Sequence, residues 1–234
     1  MATIKVKSGI FGKTLAEALQ RAQPGDRILL APGEYAIDPF PIYRLTFVGA
    51  GEDPSDVVLQ TRVNVTGTAS FRGLTLRAPH FSNAVHMPQA GAETSFEQCI
   101  VQGDPAGKYP TIYGVGSALS LQGCEVRSVP GAQAITLRTG GRLAAWHSTL
   151  GNVSVTAGSI SLSHTAAASI AAVSRSRIDA DVLEVTPDPG QRSLVIQGET
   201  VCRIGRLDAP QGEGQALCEE SSLEIGEAHL PEGE

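Results

Sequence analysis

The stretch that decides the fold is Ser70-Phe71-Arg72-Gly73-Leu74-Thr75-Leu76. Its pattern returns at 95–101 and at 120–126, where Phe96 and then Leu121 take the place of Phe71, 25 residues further along each time. Weaker copies follow at 145–150 and 162–167. A repeat of this length predicts units that stack on one another, because one unit cannot bury its apolar face alone.

A second short strand is predicted before each copy, so two series of strands advance together. The second series is Val63–Val65, 84–87, 111–113, 134–137 and 153–155. Alternation points three columns of the first series inward: Phe71/Phe96/Leu121/Ala145/Leu162, Leu76/Val101/Val126/Leu150/Ala167, and the smaller Leu74/Cys99/Cys124/Ser148/Thr165. Columns that stay in register predict an all-β solenoid whose coils lie about 4.8 Å apart.

One helix is predicted near the start of the chain. Thr14 and Glu17 have the capping-box spacing, and an apolar stripe follows at Leu15, Ala18, Leu19 and Ala22. Pro24-Gly25 ends the helix. Because an uncovered solenoid end exposes strand edges, we expect this helix to cover the first coil.

Composition excludes several classes of protein. The chain has 234 residues, 41% hydrophobic and 18% charged, which argues against disorder, and its sequence has no stretch long and apolar enough for a membrane span. Residues 1–9 lack the apolar core of a signal peptide, so we expect a cytoplasmic protein without a membrane partner.

The net charge of −6 is concentrated at one end. Residues 207–234 hold eight acidic residues and no Lys or Arg, so the rest of the chain carries +2. A nearly neutral body argues against an acidic mimic of DNA. Without clustered Lys and Arg beside aromatic residues, we also expect no nucleic-acid partner.

The four cysteines, Cys99, Cys124, Cys202 and Cys218, form no CxxC pair and have no metal-ligand spacing with histidine. We therefore expect reduced, buried thiols, no metal and no cofactor. Cys99 and Cys124 should be neighbours in one inward column, where a disulfide is sterically conceivable and two free thiols are favoured.

The segment from Thr14 to Tyr35 resembles the entry of pectin-lyase-like right-handed parallel β-helices, and 45–51 resembles their next coil. The resemblance implies a single-stranded right-handed parallel β-helix with an N-terminal capping α-helix. We expect one domain over 1–234: strand and capping helix over 1–35, coils over 36–206, and an acidic end or cap over 207–234.

The resemblance also implies where a catalytic site would lie. Enzymes of this superfamily generally act on one outer face, with clustered carboxylates for calcium or for hydrolysis. Here the outward column of the second series is Asn64, His86, Tyr113, Thr136 and Ser154. Arg138 lies on the same side, and an enzyme that used this patch would be expected to have a cleft over it. The column contains no carboxylate. Glu93 and Asp104 are predicted in connecting segments. The acidic group Asp179, Asp181, Glu184 and Asp188 is predicted near a Pro-Gly turn. His80 and His164 are predicted in loops or on the surface.

Three residues are the candidate catalytic groups: His86 or Tyr113 for proton abstraction, and Arg138 to neutralise a uronate carboxylate. Asn64 and Thr136 are candidate ligand-binding residues beside them. Trp146, the only Trp, and His147 are further candidates, because an indole can stack on a sugar ring or anchor a protein.

Intact stacking columns and a missing carboxylate cluster favour a non-catalytic cytoplasmic β-helix that serves as an interaction scaffold or as an accessory module of a larger protein. Its partner would be a protein or a fused domain, with a polysaccharide as the other option. The alternative is a carbohydrate-active enzyme, a polyuronate lyase or epimerase, that uses the outward His/Tyr/Arg patch.

Overall fold

The computed structural model describes residues 1–7, 14–188, 192–209 and 216–229. The chain forms an all-β parallel solenoid of about nine turns with one α-helix, which is the right-handed β-helix fold. All the strand pairs described are parallel, and each strand pairs with its counterpart in the coil before and the coil after. The predicted fold class is confirmed.

Each complete coil contributes to three faces. Face 1 consists of Thr3–Val6, Arg27–Leu30, Leu45–Gly49, Thr68–Arg72, Glu93–Glu97, Ala118–Gln122, Arg142–Trp146 and Ser159–Ser163. Face 2 consists of Gly33–Ala36, Val57–Gln60, Thr75–Arg77, Ile100–Gln102 and Glu125–Arg127. Face 3 consists of Phe40–Ile42, Val63–Val65, Val85–Met87, Ile112–Val115, Gln133–Arg138, Leu194–Gln197 and Ala216–Glu219.

Longer strands run through two faces. Thr149–Thr156 and Thr165–Val173 pass from face 2 into face 3, and Arg177–Val185, Val201–Asp208 and Ser222–His229 pass from face 1 into face 2. Asp179, Asp181 and Glu184, which were predicted near a Pro-Gly turn, all lie within the strand Arg177–Val185.

The sequence predicts each copy of the repeat as one strand. In most coils the copy forms two strands, because the chain turns a corner in the middle of the copy. The corner residue has a positive φ, as in Gly73 (60°), Gln98 (50°) and His147 (46°). Left-handed backbone ends the ladder of one face and redirects the chain into the next. Residues 70–72 thus belong to face 1 and residues 75–76 to face 2.

The predicted columns form the core. The rings of Phe47, Phe71 and Phe96 stack through consecutive coils, with centroids 5.2 and 4.8 Å apart and planes within 13°. Leu121, Ala145 and Leu162 continue this column and are buried. The middle column from Leu74 to Thr165 is buried as well.

The α-helix Leu15–Arg21 confirms the predicted helix at the start of the chain. The Thr14 hydroxyl accepts a hydrogen bond from the Glu17 backbone N–H at 3.3 Å, and the Glu17 carboxylate accepts one from the Thr14 N–H at 3.0 Å. Leu15 and Ala18 are buried, and Leu19 and Ala22 pack against the core. A 3₁₀ turn, Pro54–Asp56, interrupts one coil.

The last coils continue into the acidic end. Ala216–Glu219 pairs with Leu194–Gln197, and Ser222–His229 pairs with Val201–Asp208. Part of the predicted acidic end, at 210–215 and 230–234, lies outside the described residues. Within the part of the chain that the structure describes, none of the helices has the length and apolar character to cross a membrane.

All four cysteines are free thiols, and Cys99, Cys124 and Cys202 are buried as predicted. Burial raises the pKa of Cys99 to about 12 and that of Cys202 to about 12. The prediction of burial is wrong for Cys218, which is exposed.

Candidate functional site

The predicted polar patch lies on face 3 and runs across consecutive coils. Asn64 pairs in register with His86, His86 with Tyr113, and Tyr113 with Thr136. Their side chains therefore form one outward row whose neighbours are one strand spacing apart. The structure thus brings together the residues that the sequence placed in this column.

The His86 ring lies between its two neighbours in that row. Its Nδ1 is 3.3 Å from the Asn64 amide oxygen, and its ring centroid is 5.7 Å from that of Tyr113. With the amide oriented in this way, Nδ1–H donates to Asn64 and Nε2 keeps its lone pair for a ligand.

Burial lowers the pKa of His86, and the positive charge of Arg62 lowers it further. Both effects disfavour the imidazolium, so the ring is neutral and basic at neutral pH. The Arg62 Nε is itself buried and has no hydrogen-bond partner among the residues described. Sequence reasoning missed Arg62, although it precedes Asn64 by two residues and alternation points both side chains the same way.

Arg138 completes the patch on its far side. Its guanidinium carbon is 5.9 Å from the centroid of the Tyr113 ring, a cation–π distance. Arg138 is exposed, whereas Thr136 is almost fully buried between its neighbours. The patch thus combines a neutral base, a phenol and an accessible cation.

Two grooves follow the other faces. A groove of about 710 Å³ lies along face 1, with Ser70, Ser95 and Ser120 among its lining residues and the charged side chains of Arg44, Glu93 and Arg142 beside them. Glu93 begins the strand Glu93–Glu97, so its predicted place in a connecting segment is wrong. A second groove, of about 570 Å³, follows the corner between faces 1 and 2.

Asn64, His86, Tyr113 and Arg138 line none of the four grooves found along the described residues. The cleft predicted over the patch is therefore not among these grooves.

Trp146 and His147 are neighbours in sequence but point to different places. Trp146 ends a strand of face 1 with 42% of its surface exposed, and His147 is a corner residue that lines the second groove. The His147 ring lies 5.2 Å from the ring of His164 in the next coil. The structure does not bring these two candidates to the patch on face 3.

Two histidines predicted without partners have carboxylate partners one coil later. His80 Nδ1 is 3.1 Å from an oxygen of Asp104, and His164 Nδ1 is 3.8 Å from an oxygen of Asp181. The separations of 24 and 17 residues match the length of the local coil. That length was the signal that could have found both pairs. No group of three His, Cys, Asp or Glu side chains suited to a metal ion occurs in the described ranges.

The chain has the right-handed parallel β-helix fold. No family model and no curated protein matches its sequence. Among solved structures, two matches are the pectin methylesterase of Aspergillus niger in its deglycosylated and penultimately deglycosylated forms, at 15% and 14% identity. Each match has a TM-score of 0.49 and covers 96% of this chain and 86% of the other.

The prediction of a non-catalytic scaffold finds no support in these matches, both of which are of a pectin methylesterase, and it is not carried further. At this level of identity the likeness concerns the fold alone. The chemistry is therefore argued from this chain's own residues.

Proposed function

We propose that the protein is a carbohydrate-active enzyme that acts on an acidic polysaccharide at the face 3 patch, as a polyuronate lyase or epimerase. The observation that carries this proposal is the position of His86, a base of lowered pKa that lies between Asn64 and Tyr113. A base of this kind suits proton abstraction near neutral pH.

Each group of the patch has a role in that reaction. The Asn64 amide oxygen accepts a hydrogen bond from His86 Nδ1–H, which leaves Nε2 to remove the proton α to a uronate carboxylate. The exposed guanidinium of Arg138 pairs with that carboxylate and stabilises the negative charge that develops on it. Tyr113 lies between His86 and Arg138, and its hydroxyl donates the second proton that the reaction needs.

Elimination conserves atoms and charge without a further reactant. The C5–H electron pair becomes the C4=C5 double bond, the C4–O bond breaks, and the Tyr113 hydroxyl gives its proton to the leaving oxygen. The proton held by His86 then returns to the phenolate through solvent. For epimerisation, the Tyr113 hydroxyl gives its proton to the opposite face of C5, no bond to oxygen breaks, and the proton held by His86 returns to the phenolate through solvent.

The experiment is a turnover assay of the purified chain on polygalacturonate and alginate, which follows unsaturated products by absorbance and epimerised units by NMR. We expect His86→Ala and Tyr113→Phe each to lower kcat at least about 100-fold, which is the usual contribution of general acid–base catalysis. His164→Ala is the matched control, because His164 is an exposed histidine away from face 3.

Three outcomes would overturn the proposal. One is the absence of turnover on both polymers. The second is equal activity in the His86 and His164 variants. The third is release of methanol from methyl-esterified polygalacturonate without unsaturated or epimerised product, which would replace proton abstraction from carbon with ester hydrolysis.

A further inference from the structure

We infer that the loops leading into face 3 form a binding subsite for a uronate unit of the same polymer. The subsite, here called the loop cluster, consists of His80, Phe81, Asp104, Lys108 and Tyr109. The inference rests on the proposed function for the polymer class and adds a subsite that the patch itself does not contain.

Two exposed aromatic rings form its surface. Phe81 is 59% exposed and Tyr109 is 41% exposed. The Lys108 ammonium nitrogen is 5.9 Å from the centroid of the Phe81 ring and 5.8 Å from that of Tyr109. A cation between two exposed rings offers apolar faces for the C–H side of a sugar and a positive charge for its carboxylate.

The rings are supported from behind by a buried carboxylate. Asp104 is only 1% exposed, and its Oδ1 accepts from His80 Nδ1 and from the backbone N–H of Ala106, each at 3.1 Å. The His80 ring then stacks on Phe81 with a centroid distance of 4.1 Å. Asp104 therefore fixes the orientation of His80, and His80 supports Phe81.

The second oxygen of Asp104 is buried and has no hydrogen-bond partner within the described part of the chain. A buried carboxylate oxygen left in this state is costly and calls for a functional explanation. Burial raises the pKa of Asp104, but hydrogen bonds from Ala106, Phe81 and His80 outweigh it and leave the pKa below its usual value. The carboxylate is thus charged and holds the exposed His80 with Nε2 directed away from it, where it can form a hydrogen bond with a sugar hydroxyl.

The loop cluster lies next to the patch along the chain. Phe81 precedes His86 by five residues, and Tyr109 precedes Tyr113 by four. An extended chain of five residues spans at most about 18 Å, which a few linked sugar rings can bridge. One polymer chain can therefore occupy both sites at once.

The test measures binding of an oligogalacturonate to the purified chain by isothermal titration calorimetry. Its carboxyl-reduced analogue, which has the same rings without charge, is the matched ligand. We expect Phe81→Ala and Tyr109→Ala each to weaken binding of both ligands about 2- to 10-fold, the range for loss of an aromatic contact. Lys108→Met should weaken binding of the charged ligand only, and added salt should reduce that difference.

Matched variants control for general surface effects. Tyr43→Ala removes an aromatic side chain of similar exposure elsewhere, and Lys5→Met removes an exposed lysine near the N-terminus. Both should bind like the unaltered chain. Wild-type affinity in all three loop-cluster variants would overturn the inference, as would equal losses in the controls.

The two proposals fail in different ways. His86→Ala should abolish turnover and leave oligogalacturonate binding within about twofold, because the loop cluster is intact. Turnover with an unchanged KM in Phe81→Ala overturns the subsite and leaves the proposed function standing. Binding that depends on Phe81 and Lys108 without any turnover overturns the proposed function and leaves the subsite standing.

Discussion

The coils between Phe47 and Ala145 and those just after Ala145 share one fold but differ in length. Residues that pair in neighbouring coils are 25 apart at Ser70 and Ser95 but only 18 apart at Ser163 and Asp181. In the short coils, Thr149–Thr156 and Thr165–Val173 run directly from face 2 into face 3. In the long coils, the extra residues form the loops that contain His80, Asp104 and Lys108. The stacking is common to both regions, and the candidate binding groups lie where the repeat is longer.

The core differs in the same way. Stacked phenylalanine rings fill the coils at Phe47, Phe71 and Phe96, whereas the same column holds Ala145, Leu162 and Ala180 further on. A shorter coil encloses a smaller cross-section and takes smaller side chains at native packing density. The length of a coil thus determines both the size of the side chains in its core and the size of the loops on its surface.

The largest effect is expected from the phenylalanine column. Phe71→Ala removes a fully buried ring from between two others and should lower the free energy of unfolding by about 3–5 kcal/mol. Phe81→Ala, in an exposed loop of the same coil, should change it by no more than about 0.5 kcal/mol. Urea denaturation followed by circular dichroism measures both. Comparable losses of unfolding free energy in Phe71→Ala and Phe81→Ala would mean that the loops contribute to the core of the long coils.

Enlarging the same column tests the cross-section directly. Leu121→Phe extends the phenylalanine stack by one coil next to Phe96, whereas Ala145→Phe places a ring where the coils shorten. Overpacking of this kind lowers the free energy of unfolding by about 1–3 kcal/mol. We expect the loss in Ala145→Phe to lie at the upper end of this range and to exceed the loss in Leu121→Phe. Thermal unfolding of the two variants checks the order. The reverse order would contradict a narrower interior in the short coils.

These differences also explain what the sequence could predict. Inward columns recur with the coil, so the solenoid and the row from Asn64 to Thr136 followed from that periodicity, whereas the helix followed from its capping box and apolar stripe. The corner at Gly73 was missed because the apolar pattern continues across it while the backbone turns. His80 with Asp104 was missed because alternation gives no side-chain direction in a loop, where hydrogen bonding decides the orientation.

A smaller effect is expected from the buried carboxylate that supports the loop cluster. Because the pKa of Asp104 is lowered in the folded state, its ionised form stabilises the fold above the ordinary value of 3.8. Asp104→Asn should lower the free energy of unfolding by about 1–3 kcal/mol at pH 7, since hydrogen bonds to a charged acceptor are lost.

This difference should shrink as the pH falls below 3.8, because the wild-type carboxyl then takes up a proton. Melting temperatures of both chains between pH 7 and pH 2.5 measure it. Glu184→Gln, in a strand of a short coil, is the control and should show no such trend. A difference independent of pH would mean that the charge of Asp104 does not support the loops.

The smallest effect concerns His86, the base of the long-coil patch. Its pKa is lowered mainly by burial and secondarily by Arg62, so Arg62→Gln should raise it only part of the way toward 6.5. NMR titration of the ring resonances measures the shift, with His164 in a short coil as the internal reference. A group of lowered pKa stabilises the fold fully above 6.5, and this stability is lost as the pH falls through the folded-state pKa. Full recovery to 6.5 in Arg62→Gln would show that charge, not burial, makes His86 a base at neutral pH. The basicity of the patch would then depend on a side chain from the preceding coil rather than on the stacking of the coils themselves.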